Sequence, residues 1–454
     1  MDGTPHRLHA LDVAWLEMEG DGPPIAIGTA SVADGPAPDD GELLDLLAQR
    51  LPRMPRLHQH LTTSAGGLRR PMWTEAEDLD LGRHLHRVRA AHSGRDGLDR
   101  VVSGVMESRL DRSRPLWDLW VVEGLPDDRW AVVWRVHHSM ADGLGALSLL
   151  GHGFDVAPNG GLTLAEAVVD AGRRAAAAAH PEVSDHRAGL LGRVTGGLGS
   201  TITGTLPHLL PALATAIPQV PSRITGPVGP RRAWSSVDVP LSEVKAVGRA
   251  FGATVNDVIL AAMAGGFREL LRARGESVHG RVVRNLVPVS VRPSGDDHAD
   301  NQVSAVLGHL PVGVADPVER LAAVVSTVGH LKASRAPVLV ALLLDVVDHA
   351  VPAPLQDVVV STAGRVAPAW FFDTLTTNVP GPQFPVFFAG RRVHAMYPII
   401  PVAGHTRITT GIFSYDGVLN IGCTGDAEHA GDVDHLASGV RGAVAELADR
   451  AAHR

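Results

Sequence analysis

Apolar residues recur every three or four positions over 41–51 and again over 97–110, the spacing of helices with one buried face. Residues 130–136, Trp-Ala-Val-Val-Trp-Arg-Val, are instead β-branched and aromatic and predict a strand. Residues 162–179 form a strong helical stretch ending in an alanine run. From 180 to 232 the pattern breaks into Gly, Pro, Thr and Ser. A structureless loop of that length is unusual in a compact domain, so a helix is expected within it, over 206–216. Beyond 233 the periodicity returns, with helices expected over 241–250, 255–274, 316–333 and 431–451. Strands are expected over 281–292, 302–312 and 374–379, the last running into the turn Pro380-Gly381-Pro382. A hairpin is expected from 406–414 to 419–424, around Asp416-Gly417, a dipeptide that suits positive φ. Strands and helices mix in both halves without regular βαβ alternation, which predicts an α+β fold. The division expected is 1–179, a connector at 180–232, and 233–454.

Composition narrows this picture only slightly. With 454 residues, 45% hydrophobic and 20% charged, the chain is an ordinary globular sequence long enough for more than one core. A net charge of -8 argues against a broad nucleic-acid surface. Cys423 is the only cysteine, which excludes an intramolecular disulfide and a thiolate metal cluster within one chain. Residues 1–10 lack a basic stretch followed by an apolar run, so a cytoplasmic location is the default expectation. The apolar run 338–347 is about half of what a bilayer span needs and is interrupted by Asp345. Residues 194–222 carry no charged side chain but contain four prolines. That combination suits an apolar surface segment or connector, compatible with peripheral contact to a membrane or lipid droplet.

The chemistry concentrates in His137-His138-Ser139-Met140-Ala141-Asp142-Gly143, which follows the expected strand at once. The strand fixes His138, and Gly143 allows a sharp turn and close approach of another group. An imidazole with an ordinary pKa of about 6.5 is a serviceable general base near neutrality. A lone histidine beside a strand is nevertheless more often a surface or hydrogen-bonded core residue. Side chains alternate along a strand, so His137 and His138 do not face the same way as a metal pair. No third ligand stands at a persuasive distance, and no metal is expected. Nor is there a zincin, nucleophile-elbow, phosphate-loop or dinucleotide fingerprint.

The heptapeptide matches the H-H-x-x-x-D-G signature of the chloramphenicol-acetyltransferase-like superfamily, and the rest of the chain resembles its bacterial wax ester synthase/diacylglycerol acyltransferase branch. The resemblance rests on Arg7-Leu-His-Ala-Leu-Asp-Val-Ala-Trp15-Leu16, on Pro115-Leu116-Trp117, and on Asn256-Asp257 within 254–261. Val287–Arg292, Asn378–Pro382 and Ser414–Gly417 follow in the family's order, so nearly the whole chain is covered. One departure is Ala430-Gly431-Asp432, where a Pro-Asp pair is expected. The resemblance implies two sandwich domains of the chloramphenicol-acetyltransferase type with the active site at their interface. It implies transfer of a long-chain acyl group from acyl-CoA, the co-substrate, to diacylglycerol or a fatty alcohol, with no cofactor and no acyl-enzyme.

Within that resemblance His138 is the general base, and His137 orients the turn. Asp142 pairs with an arginine, for which Arg292 is the candidate; as a bare residue it could equally be a charge at a helix N-terminus. Gly143 leaves room for the donor. Asn256 is either a polar group near the oxyanion or a helix N-cap. Trp117 is a candidate for lining an acyl channel, whereas Pro115, Leu116 and Asp257 are expected to support the structure. The histidine mechanism does not choose the acceptor. An acyltransferase for a specialised alcohol or amine, a non-catalytic lipid-binding relative and a metal-dependent hydrolase therefore remain open alternatives.

Overall fold

The computed structural model describes residues 6–8, 10–20, 22–63, 71–92, 95–141, 143–170, 222–290, 303–333 and 372–454. Two six-stranded mixed sheets organise the chain, with a small three-stranded sheet at the side. The first large sheet is built on β7 (Arg129–His137), which lies between β2 (Ala26–Asp34) and β6 (Trp117–Leu125), antiparallel to both. β5 (Leu85–Arg89) extends it in parallel beyond β6. Alternation along β7 sends Trp130, Val132, Trp134 and Val136 to one face and Ala131, Val133, Arg135 and His137 to the other. Both faces are buried, so the strand reads as a nearly continuous apolar run. Trp130 and Trp134 meet Phe388 with ring centroids 6.1 and 6.4 Å apart.

The second sheet runs β10 (Val303–Leu310), β9 (Val283–Ser290), β11 (Thr374–Pro380), β14 (Ile408–Tyr415), β15 (Val418–Asp426), β8 (Arg232–Pro240). The expected hairpin is present: β14 and β15 pair antiparallel, with Asp416 at φ 44° and Gly417 at φ 84°. Behind this sheet pack the helices Val255–Ala273 and Val433–Ala452. They cross so closely that a Cβ on Gly266 would stand 2.6 Å from Val440 Cγ2, a position only glycine fills.

Beyond residue 233 the chain returns once to the first sheet. β13 (Arg391–Ile399), far into the second half, pairs with β2 of the first sheet from Val393↔Ala33 to Ile399↔Gly28, and so covers an edge that β2 would otherwise expose. The chain then enters β14 of the other sheet, where Tyr415 Oη donates to Val393 O at 2.8 Å and ties the sheets together. Helix α3 (Arg95–Glu107) makes a second seam by lying along β8. There Trp234 N donates to Ser103 Oγ at 2.9 Å.

The expected helix at 206–216, the apolar run 338–347 and the charge-poor 194–222 (all but its last residue) lie outside the described residues. Of the helix expected over 162–179, residues 164–170 are described and helical. No single helix among the described residues is long and apolar enough to cross a membrane. The helices Leu241–Phe251 and Val255–Ala273 pass together on length but meet at 104°, and the second supplies core side chains.

Candidate active site

β7 ends at His137, and three main-chain bonds peg the turn that follows. His137 N donates to Leu116 O at 2.8 Å, His138 N to Ile25 O at 3.1 Å, and Met140 N to His137 O at 2.9 Å. Leu116 thus acts through its backbone, from the segment that leads into β6. The turn also rests on helix α1 (Ala10–Glu19). The Trp15 ring stacks on the His138 ring at 4.2 Å between centroids, with 19° between planes.

His138 Nδ1 is sealed from solvent and bonds to no other residue among the described ones. Burial lowers the His138 pKa to about 4; the neighbouring His137 acts in the same direction and the residue's own main chain opposes it. The ring is therefore neutral at physiological pH.

His137 is buried and differently held. Its Nδ1 accepts the Ser139 N–H at 3.1 Å and lies 2.7 Å from Ser139 Oγ. That leaves Nε2 to carry the proton, and Nε2 faces Glu19 Oε2 at 3.6 Å, an electrostatic contact longer than a hydrogen bond. Glu19 Oε1 accepts the Ile25 N–H at 3.1 Å, and Oε2 accepts from Arg112 at 2.9 Å. Burial alone would raise the Glu19 pKa, but His137, Arg112 and the Ile25 N–H outweigh it and hold the carboxyl at about 2.

The other expected site residues fall in different places. Asp142 and Arg292 lie outside the described residues, and so does their expected pairing. Gly143 opens helix α4 (Gly143–Gly151). Pro115 is buried, and its carbonyl accepts the Trp117 N–H at 2.9 Å.

Trp117 lies on the other face of the sheet from His137. Its register opposite Val136 puts its side chain on the face of Trp134, away from His137. There it is fully buried, donates from Nε1 to Leu57 O at 2.9 Å and stacks on His84 at 4.2 Å. Among the described residues it is part of the buried core.

Asn256 is not the N-cap. Thr254 caps the helix and Asp257 closes a reciprocal capping box with it. Asn256 Oδ1 instead accepts from Asn378 Nδ2 at 3.3 Å, joining two motifs 122 residues apart. Asp432, in the segment that departs from the expected Pro-Asp, takes a two-point contact from Arg274, whose Nε lies 2.8 Å from Oδ2.

Trp15 stands in the opening motif without an assigned role, and Glu19 and Arg112 belong to no motif. Their one signal is the four-residue interval between Trp15 and Glu19, which places both on one helix face.

Comparison with known proteins converges. The family description "Wax ester synthase/diacylglycerol acyltransferase catalytic domain" matches residues 8–259, across the connector, and "WS/DGAT C-terminal domain" matches 299–448. Proteins named as diacylglycerol O-acyltransferases from Mycobacterium bovis and Mycobacterium tuberculosis are each 34% identical over 474 aligned residues, covering 97% of this chain and 96% of the relative. Among solved structures, the wax ester synthase/diacylglycerol acyltransferase from Marinobacter aquaeolei VT8 superposes with a TM-score of 0.68 at 22% identity, covering 98% of this chain and 100% of that one. The first condensation domain of the CDA synthetase has the same fold at a TM-score of 0.58 and 17% identity, covering 99% and 98%.

Proposed function

This chain belongs to the wax ester synthase/diacylglycerol acyltransferase family, and we propose that His138 is the general base of its acyl transfer. The family reaction moves a long-chain acyl group from acyl-CoA to diacylglycerol or a fatty alcohol. The observation that carries the assignment is a neutral imidazole held at a strand end with one nitrogen sealed and its plane fixed by Trp15. With the proton on Nδ1, the lone pair on Nε2 is left for substrate. Nε2 takes the hydroxyl proton as the alcohol oxygen attacks the thioester carbonyl carbon. The C–S bond then breaks, and the same proton passes to the departing sulfur, giving ester and free CoA. Burial keeps the ring neutral and therefore able to accept the proton, and the imidazolium so formed is more acidic than a thiol and returns it to sulfur.

Atoms and charge balance without a further reactant, so no cofactor beyond acyl-CoA is assigned. EDTA should leave turnover unchanged. His137 supports the base, Asp142 and Gly143 shape the loop, and Asn256 with Asn378 is the polar pair offered for the oxyanion side. The apolar acceptor suggests a cytoplasmic enzyme that works against a membrane or lipid-droplet surface, for which the charge-poor 194–222 is the candidate contact. Co-sedimentation with diacylglycerol-containing vesicles tests that contact, and its absence would remove it.

The decisive assay follows free CoA from palmitoyl-CoA with diacylglycerol, a fatty alcohol, and polar alcohols or amines as acceptors. His138→Ala should lower kcat by about 10²–10⁴. A loss below tenfold sinks the base assignment, and transfer to polar acceptors alone would move the enzyme to a different substrate class.

A further inference from the structure

Helix α1 touches both histidines of the pair, although strand alternation sends neighbouring side chains apart. It does so because Trp15 and Glu19 stand one helical turn apart on the same face. Trp15 covers the His138 ring. Glu19 reaches the pair twice: its Oε2 faces His137 Nε2, and its Oε1 holds the N–H of Ile25, whose carbonyl in turn receives the His138 N–H. Arg112 anchors the arrangement from outside, donating to Glu19 Oε2 and to Leu16 O of the same helix, each at 2.9 Å.

We infer that α1 is a two-point clamp on the catalytic loop, with Trp15 and Glu19 as positioning residues that fix the plane of the His138 ring and the proton of His137. The inference rests on the reading of His138 as the base. It gives a role to the buried carboxylate beside His137. A carboxylate at Nε2 favours the tautomer in which Nδ1 is free to accept from Ser139, and so stiffens the turn. Displacing a reacting group by about 1 Å can cost about 10²-fold in rate, so loosening either point should appear in kcat and not in donor binding.

The test compares Trp15→Leu, Trp15→Phe, Glu19→Gln, Arg112→Gln and His138→Ala in the full-length enzyme, by steady-state kinetics across pH and by NMR of [15N]histidine-labelled protein. Trp15→Leu and Glu19→Gln should each lower kcat about tenfold or more, with KM for palmitoyl-CoA within about twofold. Trp15→Phe, which can still stack, should recover most of the loss. Trp15→Leu should also move the His138 titration upward from about pH 4 toward 6.5, because it removes the ring stacked on the imidazole and so lessens its burial, and a residue remote from the ring would not do this. Arg112 is half exposed, so Arg112→Gln disturbs no core and should slow kcat severalfold even if the α1 variants fold poorly. The clamp is overturned if His138→Ala is inactive while the folded α1 variants and Arg112→Gln keep kcat and the His138 titration unchanged. If His138→Ala itself stays within tenfold of wild type, the base reading fails instead.

Discussion

The proposed role of His138 requires an uncharged ring, and its surroundings enforce that state well below neutrality. Its pKa of about 4 predicts that kcat/KM is flat from about pH 5.5 to 8 and falls only near pH 4, with no inflection at the ordinary histidine value of about 6.5. A profile measured with a soluble short-chain donor checks this. An acid limb centred at 6.5 would mean that burial does not govern the ring. Glu19 titrates in another window. Its carboxyl is held near 2, so the stability it contributes is fully present above pH 4.5 and is lost as pH falls toward 2. Trp117 belongs to a different class of residue. Trp117→Ala should cost about 3–5 kcal/mol by opening the tryptophan core, and should leave acyl chain-length preference unaltered. Denaturant titration and a donor series with the surviving folded protein separate the two effects.

Between β6 and β7 the decisive contact is Arg135 with Asp118, a buried two-point ion pair at 2.7 and 2.8 Å. The same guanidinium donates to the Ser108 carbonyl at 2.7 Å and so ties both strands to the segment just after α3. Arg135→Met leaves Asp118 buried without its counter-charge and should cost about 3–5 kcal/mol, whereas replacing both residues with apolar ones should recover most of that. Urea unfolding of the single and double variants measures it.

These elements also show what a sequence discloses. β7 is legible because both its faces are apolar and its residues are β-branched or aromatic. β2 is not, since Ala, Gly, Thr and Ser dominate it and no alternation stands out. β13 hides behind Arg391-Arg392 and Pro398. Pro398 is tolerated there because β12 (Phe387–Phe388) pairs only with the strand's first two residues, leaving one side of Pro398 without a β-partner. In the site, the histidine motif marks its own place, whereas the face on which Trp117 lies follows from its register opposite Val136, which no local pattern discloses. The roles of Trp15 and Glu19 are silent for the complementary reason, since only the packing of α1 brings them to a loop more than a hundred residues away.

At the scale of the molecule, the seam between α3 and β8 holds a carboxylate whose linkage to folding opposes that of His138. Asp99 accepts from Ser236 Oγ at 2.8 Å and from Ser236 N and Ser235 Oγ at 3.3 Å. Beside it Arg95 pairs with Asp238, which also receives Tyr397 Oη at 2.9 Å. Burial nevertheless pushes the Asp99 pKa up to about 6, against those donors and Arg95. Its protonated form is therefore the one the fold favours, and between pH 4 and 6 the native state binds more protons than the unfolded chain. Stability through this group falls as pH rises across that window, by about 3 kcal/mol at most. His138 acts in the opposite direction. The native state holds it neutral while the unfolded chain protonates it near 6.5, so stability through His138 rises by a similar amount between pH 4 and 6.5. The two contributions nearly cancel in the wild-type enzyme and mask each other. Asp99→Asn keeps an oxygen for the Ser236 donor and removes the acid, so it should raise stability at pH 7.5 and reveal the slope of His138. His138→Ala should reveal the reverse slope of Asp99. Urea denaturation at pH 4.5, 6 and 7.5 reads both, and parallel behaviour of the two variants would show that neither buried group is linked to folding as its surroundings require.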